Sequence, residues 1–194
     1  MLKRVIVLVA ATALVLLFAN ARAEDIETPI LDDIGVTMSY GVESKWLNPA
    51  DDYDLSVKRL TLWGGKHLDE GMQWKLEAEI QGSGHKAEND SRSVNTNEFG
   101  GNLILKREFP SDTPFLPYLG LMGGLSILSN SHSQPQFDDS VLFGKFGGLI
   151  GTNIYIDNYW SIRLEYRLTH TSAPFGPDVG RNFDEFIIGI GYTF

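Results

Sequence analysis

Three residues near one end of a 194-residue chain are of the types that acyl transfer uses: His170, Ser172 and Asp184. In such a set the imidazole takes the serine hydroxyl proton. The carboxylate holds the imidazole tautomer and stabilises the imidazolium. These types are common, and parity is what gives them weight. Trp160, Ile162, Leu164, Tyr166 and Leu168 are apolar and even-numbered, and His170 and Ser172 continue the series. Asp184 is in phase with Phe186, Ile188, Ile190, Tyr192 and Phe194 in the same way.

A period of two is the signature of a strand with two unlike faces. It is clearest in Met72 to Gln81, where Met72, Trp74, Leu76, Ala78 and Ile80 alternate with Gln73, Lys75, Glu77, Glu79 and Gln81. The second set is too charged to face lipid, so it should line a barrel interior with the apolar set outward. Strand-like segments follow at 34–42, 55–68, 99–108, 115–128, 141–156, 159–172 and 186–194, which makes eight. The fold class is all-β: an eight-stranded antiparallel transmembrane β-barrel. Connections at 43–53, 84–94, 129–140 and 173–182 are long and those at 69–71 and 157–158 are short, which suits external loops and periplasmic turns. A barrel of eight strands has room only for its own side chains. Inward Lys75, Glu77, Glu79, Arg163, Glu165 and Arg167 should therefore pair with one another rather than line a pore.

The start of the chain reads as an export signal. Lys3 and Arg4 precede an apolar run from Val5 to Ala19, and Ala21-Arg22-Ala23 is a small-x-small cleavage site. The domains are then a signal peptide at 1–23 and a barrel at 24–194, with a retained anchor as the alternative. Removing the signal takes away Lys3, Arg4 and Arg22 and no acid, so the formal charge moves from −9 to −12. An acidic chain without a basic stripe is not a nucleic-acid binder. Cys is absent, which excludes disulfides and thiolate metal sites. His67, His85 and His132 are scattered and read as solvated, so neither a metal nor a cofactor is expected. The last strand, with Tyr192 and Phe194 closing its apolar row, is what barrel-assembly machinery would read. The destination is the bacterial outer membrane.

If residue 170 faces 186, Ser172 faces Asp184; if 171 faces 183, His170 faces Asp184. Outward polar residues at a membrane boundary point to function, and such a row would act on a lipid ester. Spacing alone is equally met by a His170 that is simply leaving the bilayer, because Trp160 to Leu168 nearly completes a crossing of about 9–11 residues.

At these residues the chain resembles the lipid A 3-O-deacylase family (PagL-like, acyloxyacyl hydrolase-like). The likeness rests on Tyr166-Arg167 leading into His170-Thr-Ser172, and on Trp74-Lys-Leu-Glu-Ala-Glu79, Phe115-Leu-Pro-Tyr118-Leu-Gly and Leu164-Glu165. The resemblance implies an eight-stranded outer-membrane barrel that removes the ester-linked 3-position acyl chain of lipid A at its lipid-facing surface. Ser172 would be the nucleophile, His170 the base and Asp184 the acid, with lipopolysaccharide as substrate among the outer-membrane lipids. Ala173-Pro174 and Pro177-Asp178 depart from the family pattern, and alignment on Pro177 and Gly180 instead puts Asn182 in the acid's place. The alternative function is a non-catalytic structural or binding barrel, a degenerate relative of the deacylases. A lipid A acyltransferase is weaker still, because Glu24 to Asp33 does not look like the N-terminal amphipathic helix of those barrels. The export reading predicts that the protein extracted from the outer membrane begins at Glu24; an intact mass retaining residues 1–23 would refute it.

Overall fold

The computed structural model describes residues 30–44, 47, 54–89, 92–129, 142–172 and 180–194. The expected signal peptide lies outside them. Eight strands run in chain order: β1 (Asp33–Glu43), β2 (Asp54–His67), β3 (Trp74–Asn89), β4 (Arg92–Glu108), β5 (Phe115–Ser129), β6 (Leu142–Tyr155), β7 (Trp160–Ser172) and β8 (Arg181–Thr193). Each pairs antiparallel with its sequence neighbours, and β1 pairs with β8 from Asp33↔Thr193 to Glu43↔Phe183, so the sheet closes. Closure follows from lipid as solvent: an open edge there leaves N–H and C=O groups without partners. Both short turns are organised by an aspartate. The Asp69 carboxylate accepts from the Gln73 and Trp74 amides at 3.0 and 2.7 Å, and Asp157 accepts from those of Tyr159 and Trp160 at 2.8 and 2.7 Å.

One expected loop is a strand pair instead. The stretch 84–94 continues β3 and β4, whose ladder runs on to Asn89↔Arg92. Its polar composition suggested a loop, but a strand standing above the membrane has water to meet its outer face and needs no apolar row. The correction moves His85 as well. The imidazole is buried inside the barrel, at 3 % exposure, where it pairs with Glu98 and meets the Phe183 ring edge-on at 5.9 Å. His67 is half-buried at the opposite end, bridging Asp32 and Glu108 at 3.0 Å on each side.

The faces follow the alternation. Outward Leu76, Ile80, Leu103, Leu121, Ile150, Phe186 and Ile188 are exposed, as lipid-facing residues must be. Tyr159, Trp160 and Phe194 gather around Tyr192 at the periplasmic end, each with its ring centroid 5.0 to 6.0 Å from that of Tyr192. This is the aromatic girdle of an outer-membrane barrel.

Inside, charges pair as expected and recruit more partners. Arg163 grips Glu77 through two bonds of 2.7 and 2.8 Å, and Lys106 reaches the same carboxylate at 2.9 Å. Arg167 grips Glu79 through two of 2.9 Å and also donates to Glu165 at 2.9 Å. The Arg163 guanidinium lies 3.6 Å over the Trp63 ring, and Tyr118 donates to Glu165 at 2.9 Å. Towards the outer mouth Arg59 pairs with Glu185 and Lys145 with Glu98. Apolar Ile104, Tyr118, Met122 and Leu149 fill the β4–β6 side. Breaking a buried pair costs more than the pair itself contributes, because a bare charge remains. Glu77→Gln leaves Arg163 and Lys106 short of their shared anion and should lower unfolding free energy by about 3–5 kcal/mol. The measurement is the urea midpoint of the barrel refolded in detergent, and an unchanged midpoint would contradict this account.

Candidate functional site

The outer ends of β7 and β8 carry the site. Their register is Tyr166↔Phe186, Leu168↔Asp184 and His170↔Asn182. Both expected registers are therefore displaced: Asp184 lies opposite Leu168, one outward pair nearer the membrane centre than His170. The pairing slips because parity fixes which face a residue takes, whereas register depends on the chain joining the strands. Ala173, Pro174, Pro177 and Asp178 of that connection lie outside the described residues.

His170 and Ser172 face outward, as their parity requires. The imidazole sits against the Phe146 ring at 4.7 Å between centroids, since Phe146 is its partner on β6. On the other side is Gly180. A Cβ built at Gly180 would come within 2.3 Å of both Cε1 and Nε2 of His170 and 3.2 Å of the Ser172 Cβ. A side chain there would have to push the imidazole aside, whereas glycine lets the backbone close over the imidazole edge and the serine together. No hydrogen bond joins the Ser172 hydroxyl to the imidazole. They are neighbours two residues apart on one strand face, and resting geometry of this kind is often looser than the reacting one.

His170 Nδ1 is 2.9 Å from Asn182 Oδ1. A carbonyl oxygen accepts only, so the contact suits a ring that donates from Nδ1; in the neutral ring that tautomer leaves the lone pair on Nε2, beside Gly180 and Ser172. Asp184 is engaged elsewhere: its carboxylate accepts from the Tyr166 hydroxyl. The arrangement joins an oriented base to a hydroxyl neighbour, with an amide rather than a carboxylate behind the imidazole. Of the three residues singled out from sequence, His170 and Ser172 are brought together and Asp184 stands one pair away. Asn182 had been legible as the alternative through Gly180. Tyr166 and Gly180 were visible only as parts of the motif, and Phe146 had no signal of its own, because the contact each makes depends on register.

The site lies at the water boundary. The outward row Tyr166–Phe186–Tyr40–Lys58–Gly84–Asn97 turns from apolar to polar around the barrel, and the next is Leu168–Asp184–Val42–Ser56–Lys86–Asn95. His170 and Ser172 stand just above both.

A family model described as outer membrane protein beta-barrel domain matches residues 9–194. Comparison with curated protein sequences finds no match. Among solved structures, the chain is similar to Neisserial surface protein A at 15 % identity and a TM-score of 0.58, covering 84 % of this chain and 96 % of that one. It is similar to OprG from Pseudomonas aeruginosa at 14 % identity, a TM-score of 0.52 and the same coverage. Its likeness to the outer membrane enzyme PagL is 16 % identity and a TM-score of 0.52, over 79 % of this chain and 97 % of that one. At these identities the likeness is one of fold alone.

The acceptor role of Asn182 makes a spectroscopic prediction. Long-range nitrogen–proton correlation should show His170 as the Nδ1–H tautomer in the folded protein and as a tautomer mixture in Asn182→Ala. A spectrum indifferent to that substitution would remove Asn182 as the orienting residue.

Proposed function

The chain belongs to the outer membrane protein β-barrel domain family and to the bacterial outer membrane, and within that family we propose that it is a lipid A esterase removing the ester-linked 3-position acyl chain. The observation that carries this is the His170–Asn182 contact, which points a basic Nε2 at the Gly180–Ser172 corner of a lipid-facing surface. PagL, named an outer membrane enzyme, shares the fold, and the Tyr166-Arg167 to His170-Thr-Ser172 run resembles its family.

In the proposed reaction His170 Nε2 removes the Ser172 hydroxyl proton as the oxygen adds to the ester carbonyl. The tetrahedral intermediate collapses to a seryl ester, and the imidazolium gives its proton to the departing sugar oxygen, which leaves as a hydroxyl. Water, deprotonated by the same imidazole, then releases the fatty acid and restores Ser172. Asn182 orients the imidazole. Asp184 sits on the same face of β8 and supplies negative charge to the imidazolium through space rather than by direct contact. An amide in the acid's place supports orientation but contributes less charge stabilisation, so a modest turnover is expected.

A second reading, a non-catalytic binding barrel, draws on the same amide and on the engagement of Asp184 with Tyr166. Mass spectrometry of lipid A from an outer membrane carrying the protein separates the two. The esterase predicts loss of one hydroxyacyl chain, a loss of the order of 10³-fold or more in rate for Ser172→Ala or His170→Ala, and a larger loss for Asn182→Ala than for Asp184→Ala. Intact lipid A beside a folded, abundant barrel would establish the binding role instead.

A further inference from the structure

On the opposite arc of the same boundary, across β1 to β4, lies a cleft of about 540 Å³. Its walls carry Tyr40, Ser56, Lys58, Lys86, Asn95 and Asn97. Its floor opens over Gly84, where an added Cβ would meet nothing within 4 Å. The ladder explains the cluster: Lys58 pairs with Gly84 and Gly84 with Asn97, while Ser56 pairs with Lys86 and Lys86 with Asn95. All six wall residues therefore face outward at the level where the lipid-facing rows of β2, β3 and β4 give out, above Leu60, Gly82 and Phe99.

The charge is out of character with the chain. The molecule is acidic overall, and most described cations turn inward to carboxylates. Among residues whose side chains are described, the outward cations are Lys66 and Arg107 at the periplasmic end and Lys58 and Lys86 at the outer boundary. Both of the latter line this one cleft. Lys86 is paired with Glu88, on the cleft's upper rim, so an incoming anion has to displace that carboxylate. Lys58 forms no ion pair among the described residues. Two ammonium groups with amide and hydroxyl donors, converging beside open space, suit a tetrahedral oxyanion.

We propose that this cleft binds a phosphate of the lipid A headgroup and thereby seats the disaccharide at the outer-leaflet boundary; the choice of ligand rests on the reading of the chain as acting on lipid A. The height of the cleft fits that ligand, because lipid A phosphates lie where the apolar rows give way to polar ones. Lys58 and Lys86 lie on β2 and β3, three and four strands from Ser172 on β7, and β3 stands opposite β7 in the closed barrel. At about 4.8 Å per strand the cleft is on the order of 15–20 Å around the wall from Ser172, so the lipid it seats is a neighbour of the molecule at Ser172.

The test is binding, which does not require turnover. Full-length protein carrying Ser172→Ala is placed in phosphatidylcholine nanodiscs and titrated with radiolabelled lipid A bearing both phosphates, and with its dephosphorylated form. The phosphorylated lipid should bind of the order of ten-fold tighter. The double variant Lys58→Gln, Lys86→Gln should lose that preference. Gly84→Val fills the cleft while keeping both lysines, and should lose it too. Free inorganic phosphate should not compete. Equal affinity for the two lipids, a preference surviving in both variants, or displacement by inorganic phosphate as readily as by lipid A would overturn the proposal. Phosphate-selective binding by a barrel that leaves lipid A intact would refute hydrolysis and keep the cleft. Hydrolysis of lipid A by the wild-type protein, with no phosphate preference in the Ser172→Ala binding assay, would refute the cleft and keep the enzyme.

Discussion

Lipid offers backbone amides no partner, and everything else in this molecule is arranged around that deficit. The only sheet that can stand in hydrocarbon is one with no edge, so β1 must return to β8. Closure at eight strands then sets the interior at the size of side chains. Once the outer face is given to lipid, the polar residues of every strand are forced into that interior. Glu77, Arg163 and Lys106 are charged and buried because the alternation leaves them no other place.

Such an interior is expensive unless each charge is answered across the barrel. The answers come from distant strands: β3 to β7 for Glu77–Arg163 and Glu79–Arg167, and β2 to β8 for Arg59–Glu185. These pairs tie the walls through the centre, where a pore would otherwise leave the walls joined only edge to edge. Arg163 also lies over Trp63, so the same cation is held by an anion and a ring. The β4–β6 side fills with apolar groups, and the ionic and apolar halves together occupy the lumen.

Facing was legible in the sequence and register was not, for one physical reason. The side-chain period of a strand is fixed by the backbone, so Trp160 through Leu168 assigned a face to His170 and Ser172, and Phe186 through Phe194 did so for Asp184. A shift of two residues leaves every face unchanged and moves every partner, and that is how Asn182 rather than Asp184 meets the imidazole. The β3–β4 extension was illegible for a related reason. Above the membrane both faces of a strand can be polar, and His85-Lys-Ala-Glu then carries no lipid-driven alternation. Lys106 was within reach of parity, lying between outward Leu105 and Arg107. Arg59 was not, because inward Leu55 and Val57 blur the phase of β2.

The amide behind His170 sets what kind of catalyst this surface can be. A carboxylate both orients an imidazole and offsets its charge when protonated, whereas an amide oxygen orients and offsets little. With Asp184 one pair away and bonded to Tyr166, the charge it offers acts across roughly 7 Å of a boundary region with water on one side, where Coulomb attraction is a fraction of its value at contact. Catalysis here would then depend on holding the ester still rather than on a strong base. Positioning then falls to the groups that flank the imidazole, the Phe146 ring on β6 and the backbone at Gly180. In a barrel whose lumen is filled, base and positioning groups alike must be built on the outer wall, where the polar boundary rows are the surface on which they can stand.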